Sequence, residues 1–228
     1  HSCNEREAHA RWAERYFKLK RELDAAMAQI EGRTNQVART FDRLCDLLED
    51  LEYIELDGED TVVLEAGKTL ARIYGERDLL VSECIRHSVW NGMDAPALAA
   101  MAAGLVYEAR RDEEFEISLP KGNFVDYAEK TNDMWWQLET LSKKHKLPQT
   151  EQLDFAISFA FYRWASGARL DSVLEQADLL PGDFIRWAKQ VIDLLDQISQ
   201  TADGKLAETA KNAVDSVKRG IVAYSFYG

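Results

Sequence analysis

The chain has 228 residues, of which 46% are hydrophobic, and its 28 basic and 40 acidic side chains give a net charge of −12. This length and composition suffice for one large core or two small ones, and with only four prolines nothing indicates disorder. The negative balance disfavours an autonomous nucleic-acid binder, because counterion release needs clustered Lys and Arg. The excess acidity lies between residues 46 and 180, whereas residues 181–228 carry six basic and six acidic side chains.

Cysteine usage and hydropathy indicate the compartment. The three cysteines, Cys3, Cys45 and Cys84, form an odd set without CxxC spacing, which favours a reducing, cytoplasmic environment over a disulfide framework. No apolar run approaches the roughly 20 residues of a membrane span, and no signal peptide opens the chain. The chain begins without Met in charged, helical sequence, so we expect it to be part of a longer protein.

The first 52 residues have a helical pattern. Apolar residues recur near helical spacing from Arg6 to Ala38, and again on one stripe from Asn35 to Glu52. We predict that Gly32 breaks the two helices apart.

A β-hairpin is predicted next. Two runs rich in β-branched or aromatic residues, Tyr53–Leu56 and Thr61–Leu64, flank Asp57-Gly58, which is a turn signal. The order helix, helix, hairpin is typical of a winged-helix-like segment.

The rest of the chain is predicted to be helical. Asp94 and Asp183 lie where N-cap carboxylates belong, and Pro96 lies in a first turn, where its missing N–H costs nothing. Arg110–Pro120, with four carboxylates, is the best loop candidate. The predicted helices are Leu79–Trp90, Ala95–Ala109, Asn123–His145, Glu151–Ser166, Asp171–Ala177, Asp183–Thr201 and Leu206–Tyr224.

Catalytic motifs are missing from the sequence. It contains no GxxxxGKS phosphate loop, no Asp-Glu box, no HExxH and no GxSxG. We therefore expect this chain alone not to be an enzyme.

The sequence predicts no metal site. The nearest approach to one is the group His1, Cys3 and His9, which falls short of the four ligands of a structural zinc site. Cys3 and His9 are therefore only weak candidates for metal ligands.

Two groups of aromatic residues have both a binding and a structural interpretation. Basic and aromatic residues alternate within residues 11–21, where they could form a nucleic-acid face or a solvated helix that packs on a partner helix. Glu14 and Glu22 dilute the positive field and favour the second interpretation. Trp135 and Trp136 could stack on bases, but acidic neighbours make it more plausible that at least one belongs to the core.

Three ordered blocks carry a resemblance to a known family. They lie within residues 67–109, 161–195 and 213–228, and the second block includes the sequence WASGARL at Trp164–Leu170. The blocks resemble the C-terminal helical domain, known as the DSHCT domain, of superkiller-type and HelY-type superfamily II RNA helicases, the actinobacterial HelY group above all. The resemblance spans about residues 35–228.

The resemblance also implies a domain layout. Residues 1–34 resemble the returning helix of the stalk that carries the family's arch insertion, residues 35–66 a winged-helix-like segment, and residues 67–228 the DSHCT bundle. The expected fold is mainly α, a helical bundle with a small winged-helix-like β-hairpin and an N-terminal stalk-type helix.

The function implied is that of an accessory domain in a 3'-to-5' ATP-dependent helicase, whose RecA-type motor domains would bind ATP and magnesium. One long bundle helix of the family lies along the exit path of the single strand. By position it begins here at Asp183, which would place Arg186 and Lys189 near phosphate or base. Gln190 stands where many relatives have Arg, and Glu83 would be a second contact, as a hydrogen-bond acceptor.

The Asp183 helix has too many apolar residues for one narrow stripe, so we expect it to be central to the bundle. Arg186 and Lys189 are three apart and would share the strip left to face the strand. We therefore predict a monomeric domain that guides single-stranded RNA past the motor core and has no membrane contact. Two alternatives stay open: a helix-turn-helix DNA-binding regulator, and a purely structural domain that docks on the motor and never touches RNA.

Overall fold

A computed structural model describes residues 5–57, 60–108 and 118–226. Its fold is mainly α, as predicted, with one two-stranded sheet in the described part of the chain. In chain order, the elements are α1 Arg6–Asp50, β1 Ile54–Asp57, β2 Asp60–Val63, α2 Glu65–Leu70, α3 Asp78–Arg86, α4 Ala95–Val106, α5 Phe124–Lys144, α6 Ser158–Ala165, α7 Leu170–Ala177, α8 Pro181–Thr201, α9 Gly204–Val217 and α10 Gly220–Tyr224. Among the described helices, none combines the length and the apolar character needed to cross a membrane.

The N-terminal helix α1 is one continuous element of 45 residues, about 68 Å long at 1.5 Å per residue. The predicted break at Gly32 is therefore wrong: one glycine costs a helix only about 1 kcal/mol, which long flanking turns of helix tolerate. A single helix, and not two, leads into the hairpin.

The predicted hairpin is confirmed. Strand β1 is antiparallel to β2, and Ile54 is paired with Val63. Residues 58 and 59 lie outside the described ranges.

The last turns of α1 attach it to the bundle. Leu47 and, just beyond the helix, Tyr53 are buried. At the surface the Asp50 carboxylate lies 2.8 Å from Lys144 Nζ and 2.9 Å from His145 Nε2, and these hydrogen bonds lower the pKa of Asp50. Most of the helix before these turns is exposed on all sides.

Helix α4 is the centre of the bundle. Its N-cap is the predicted one, since Asp94 Oδ1 accepts a hydrogen bond from the Ala97 amide at 2.9 Å. Nine consecutive residues, Ala97–Leu105, are buried, because α6, α8 and α9 all pack against this one helix. Alanines and Gly104 on most of its surface allow these neighbours to approach closely.

Several predicted helix ends differ from the structure. Helix α3 stops at Arg86, before the predicted Trp90, because Ser88 adopts a left-handed φ of 56°. Only the second half of Glu151–Ser166 is helical, and the last predicted helix is divided between Val217 and Gly220. The short helix α2 was not predicted. The loop prediction for residues 110–120 falls mostly outside the described residues.

The start of α8 also differs in detail. Pro181 occupies the first helical position and Leu180 the N-cap, with no side-chain cap. Asp183 is therefore a first-turn acid, favourable to the helix dipole, and not the N-cap that its sequence position indicated.

We expect Gly104→Ala to destabilise the chain. The added Cβ would lie 2.3 Å from Cδ1 and 2.7 Å from Cε1 of the Phe155 ring, and overpacking of this kind costs about 1–3 kcal/mol. The measurement is the free energy of unfolding from urea denaturation. The matched control is Gly182→Ala in α8, where no atom lies within 4 Å of the added Cβ; this variant should be neutral or stabilised by up to about 1 kcal/mol. Equal effects of the two substitutions would contradict the packing role of α4.

Candidate nucleic-acid interface

Helix α8 is central to the bundle, as its apolar content predicted. Most of its circumference is buried, and the exposed side chains are polar. The buried residues are Phe184, Trp187, Ala188, Val191, Ile192, Leu194, Leu195, Ile198 and Ser199. A helix held in this way presents its few exposed groups in fixed positions, which suits a surface that guides a ligand.

A cleft of about 350 Å³ lies beside the first half of α8. Its walls are the segment 73–78, the C-terminal end of α4, and α8 itself, from which Arg186, Trp187 and Gln190 line it. The segment is tied to α8 by a hydrogen bond of 2.7 Å from the Tyr74 amide to Gln197 Oε1. Two of the predicted site residues, Arg186 and Gln190, therefore share one concave surface.

The Arg186 guanidinium is held by local contacts. Its central carbon lies 4.3 Å from the centroid of a Trp187 ring, and Nη2 donates to Asp183 Oδ1 at 3.4 Å. The side chain is 39% exposed, so it is accessible to a ligand as well as positioned. Trp187 is buried edge-on against Tyr107, with ring centroids 5.2 Å apart.

Carboxylates outnumber guanidinium groups around the cleft. Glu76, Asp78, Glu108 and Asp193 line it together with Arg77 and Arg186. The guanidinium of Arg77 is occupied, since Nη1 donates to the Glu151 carbonyl at 2.9 Å. Arg186 is thus an accessible cation of the cleft. The surrounding carboxylates limit the affinity of the cleft for phosphate, and their oxygens can accept hydrogen bonds from base amino groups.

Two of these carboxylates interact directly. A hydrogen bond with Glu76, together with the negative charge of that residue, raises the pKa of Glu108. The pair therefore binds a proton more readily than two separate carboxylates would.

Lys189 does not line the cleft, although its sequence position puts it next to Arg186. Its Nζ lies 5.4 Å from the centroid of the Phe226 ring, near the C-terminus. The two side chains predicted to share one strip therefore diverge: Arg186 lines the cleft and Lys189 lies over an aromatic ring.

Glu83 is buried and belongs to an internal network. Tyr53 Oη donates to Glu83 Oε1 at 2.7 Å, Arg86 Nη1 lies 3.5 Å from the same oxygen, and His87 Nε2 lies 3.3 Å from Oε2. Burial raises the pKa of Tyr53. The structure does not bring Glu83 to the cleft; its carboxylate holds α3 against the end of α1.

The weak metal candidates are not brought together in what the structure describes. Cys3 lies outside the described residues, and His9 is exposed on α1, with Nε2 3.8 Å from Glu5 Oε2. Within the described ranges, no group of three or more His, Cys, Asp or Glu is placed to hold a metal ion.

The two neighbouring tryptophans lie in different surroundings. Trp135 belongs to the core and its indole N–H donates to Thr150 Oγ1 at 2.8 Å, whereas Trp136 is 54% exposed.

Sequence reasoning missed the second wall of the cleft. Neither Tyr74 nor the Glu76–Glu108 pair stands in a motif, and Glu76 and Glu108 are 32 positions apart in the chain. The signal available in the sequence was weak: Gly75 follows an aromatic residue, Tyr74, and glycine is typical of a turn. Only the packing of segment 73–78 on α8 makes these residues part of one surface.

Comparison with known proteins gives consistent matches. Residues 60–225 match the model of the DSHCT (NUC185) domain. The chain is 36% identical over 225 residues to the probable helicase HelY of Mycobacterium tuberculosis, covering 93% of the chain and 25% of that protein. It is 27% identical over 213 residues to the chloroplastic DExH-box ATP-dependent RNA helicase DExH15 of Arabidopsis thaliana, covering 89% and 18%. It is 21% identical over 224 residues to the ATP-dependent RNA helicase mtr4 of Schizosaccharomyces pombe, covering 92% of the chain and 20% of that protein. The chain thus spans a quarter or less of the length of these relatives.

We expect Glu108→Gln to stabilise the chain at neutral pH and to have little effect in acid. Because the pKa of Glu108 is raised by folding, the native state binds the proton more tightly than the unfolded state. Stability should therefore fall as the pH rises from the ordinary glutamate value of 4.5 through the raised one, and the glutamine variant should lack this fall.

The measurement is the melting temperature of both proteins at neutral pH and below pH 4.5. Glu175→Gln, at an exposed position of α7, removes the same charge and is the control. If the melting temperatures of Glu108→Gln and the parent chain differ by the same amount at both pH values, the raised pKa of Glu108 is contradicted.

Proposed function

Because the chain belongs to the DSHCT domain family, we propose that it is the C-terminal accessory domain of a longer ATP-dependent 3'-to-5' RNA helicase. In this proposal it guides single-stranded RNA past the motor core and performs no chemistry itself. The observation that carries it is the position of Arg186: a partly exposed guanidinium in a cleft, on a helix whose other faces are fixed in the core.

The partners follow from the same proposal. RecA-type motor domains of the same polypeptide would bind ATP and magnesium and would dock on this bundle, which would act as a monomer in the cytoplasm. A cleft in which carboxylates outnumber guanidinium groups binds RNA weakly by itself. The motor would supply the strand, and the domain would need only to keep it on its path.

We propose that the part of α1 before residue 35 belongs to a stalk, although the helix itself continues unbroken to Asp50. A stripe of large apolar residues follows one face of the helix, mostly at intervals of three and four residues, and every member named here is exposed: Trp12, Tyr16, Leu19, Leu23, Met27, Val37, Phe41 and Leu44. Within the described residues nothing covers this stripe. We therefore propose that a second helix, from a part of the longer protein, packs along it.

The helix-turn-helix alternative is less well supported. A recognition helix must present one face to the major groove with basic or amide side chains. The exposed positions of α8 include Asp193 and Asp196 beside Lys189 and Gln190, and these carboxylates would face the phosphates. The purely structural docking domain remains the alternative to guidance, and the next experiment separates the two.

In the longer helicase, we expect Arg186→Ala combined with Lys189→Ala to reduce RNA unwinding and RNA-stimulated ATP turnover. Each phosphate contact that is lost should lower the slope of the logarithm of the RNA-binding constant against the logarithm of the salt concentration by about 0.7 unit, the value for a single strand. The melting temperature should change little, because exposed charges contribute within about 0.5 kcal/mol.

Lys205→Ala combined with Lys211→Ala is the matched control, since it removes two exposed positive charges from α9, away from the cleft. Unwinding that is unchanged in the Arg186 and Lys189 double variant, with an intact fold, would reject guidance and favour a docking domain. An equal loss in both double variants would indicate an effect of net charge alone.

We also expect α1 to gain protection in the longer protein. Backbone amides around Leu23 should exchange hydrogen rapidly in the 228-residue chain and slowly in the complete helicase, where a partner helix would cover the stripe. Leu23→Gln should remove this protection, whereas Lys18→Gln, on the opposite face of α1, should not. Equal exchange in the short and the long protein would rule out the packed stalk.

A further inference from the structure

We propose that Lys189, Lys218 and Phe226 form a second contact site for single-stranded RNA, beyond the Arg186 cleft. This inference rests on the proposed function and extends it. The three residues come from α8, from the turn after α9 and from the segment after α10. For brevity we call them the C-terminal patch.

The geometry of the C-terminal patch is that of two cations on one ring. Lys189 Nζ lies 5.4 Å and Lys218 Nζ 4.8 Å from the centroid of the Phe226 ring. All three side chains are exposed. Both ammonium groups thus lie close to one exposed ring.

The charges of the C-terminal patch are not neutralised within the described part of the chain. Neither lysine has a carboxylate oxygen within 4.0 Å there, although the whole chain has a net charge of −12. Two like charges beside one ring repel each other, and an anion between them would relieve that repulsion. The C-terminal patch is therefore suited to a phosphate-bearing ligand.

The exposed aromatic ring narrows the class of ligand. Phe226 is 42% exposed, and nearby in the chain Tyr224 is 79% exposed. Bases of a single strand stack on such rings, whereas the bases of a duplex are paired and hidden. Lysines for phosphates and a ring for a base together favour single-stranded nucleic acid over a duplex or an acidic peptide.

The C-terminal patch lies near Arg186 along α8. Lys189 follows Arg186 by about one turn of this helix, so a strand that leaves the cleft in this direction would meet Lys189 first and then Phe226 and Lys218. In this arrangement Lys189, which lies outside the cleft, connects the two contacts.

A fixed turn brings Phe226 to this position. The Arg219 guanidinium lies 3.5 Å from the centroid of a Trp164 ring, and it donates to the carbonyls of Trp164 at 3.0 Å and Ala168 at 2.6 Å. Gly220 then takes a left-handed φ of 50°. These contacts reverse the chain after α9 and return its C-terminal end to α8, so the C-terminal patch is built on ordered structure.

The experiment measures binding of a fluorescein-labelled oligouridine to the 228-residue chain by fluorescence anisotropy at low salt. Phe226→Ala should weaken binding about fivefold or more, which is the low end of one base-stacking contact. Phe226→Trp should retain it. Lys218→Ala should lower the salt slope by about 0.7 unit, as expected for one phosphate contact of a single strand.

Lys130→Ala is the matched control, because Lys130 Nζ also lies over an aromatic ring, 5.6 Å from the Tyr127 centroid, but on α5. Its effect on binding should be negligible. Equal losses for Lys130→Ala and Lys218→Ala, or wild-type affinity in Phe226→Ala with an unchanged circular dichroism spectrum, would overturn the proposal. So would the absence of binding by the parent chain up to about 10⁻⁴ M, the weak end of non-specific affinities.

Failure of this site is distinguishable from failure of the proposed function. If Arg186→Ala weakens binding and the Phe226 and Lys218 variants do not, the cleft contacts RNA and the C-terminal patch is rejected. If the C-terminal patch variants weaken binding and Arg186→Ala does not, the patch is supported and the role of Arg186 is rejected. Guidance itself is tested separately, by unwinding in the longer helicase.

Discussion

The close packing of α4 is the constraint on which the rest of the structure depends. Its alanines and Gly104 let α6, α8 and α9 approach one buried helix, and Ser158 Oγ donates to the Ala100 carbonyl at 2.8 Å where α6 meets it. Larger side chains at these positions would push α8 outward. The position of Arg186 opposite segment 73–78, and so the width of the cleft, depends on small residues that never touch a ligand.

The electrostatics of the surface fit a domain that guides a strand without holding it. Carboxylates surround Arg186 in the cleft, whereas the two lysines of the C-terminal patch, Lys189 and Lys218, lie over the Phe226 ring. A strongly basic groove would bind RNA tightly at many positions and slow its release. In the proposed function, a few separate cations on and beside a rigid helix would instead orient a strand that the motor moves.

Periodicity predicted those parts of the fold in which local sequence and tertiary packing agree. The hairpin, α5 and the central position of α8 were predicted because their apolar patterns and turn residues are local signals. Gly32 was misjudged because the cost of one glycine is small beside the length of α1. The burial of Glu83, the cleft wall at Tyr74 and the divergence of Lys189 from Arg186 depend on residues far away in the chain, namely Tyr53, Gln197 and Phe226, so no local pattern could reveal them.

The attachment of α1 shows the structural role of Glu83. The surface pairs of Asp50 with Lys144 and His145 are exposed, and exposed pairs contribute little free energy. Arg86 donates to the Leu51 carbonyl and, at 2.9 Å, to Glu52 Oε2, and these contacts are exposed as well. The buried contacts matter more: Leu47 and Tyr53 are in the core, and Glu83 accepts from Tyr53 Oη. Removal of one partner from such a buried network leaves an uncompensated polar group, which costs more than the loss of a surface pair. The direction in which the long helix leaves the bundle is therefore determined by this internal carboxylate and its neighbours, and only adjusted by the charges at the surface.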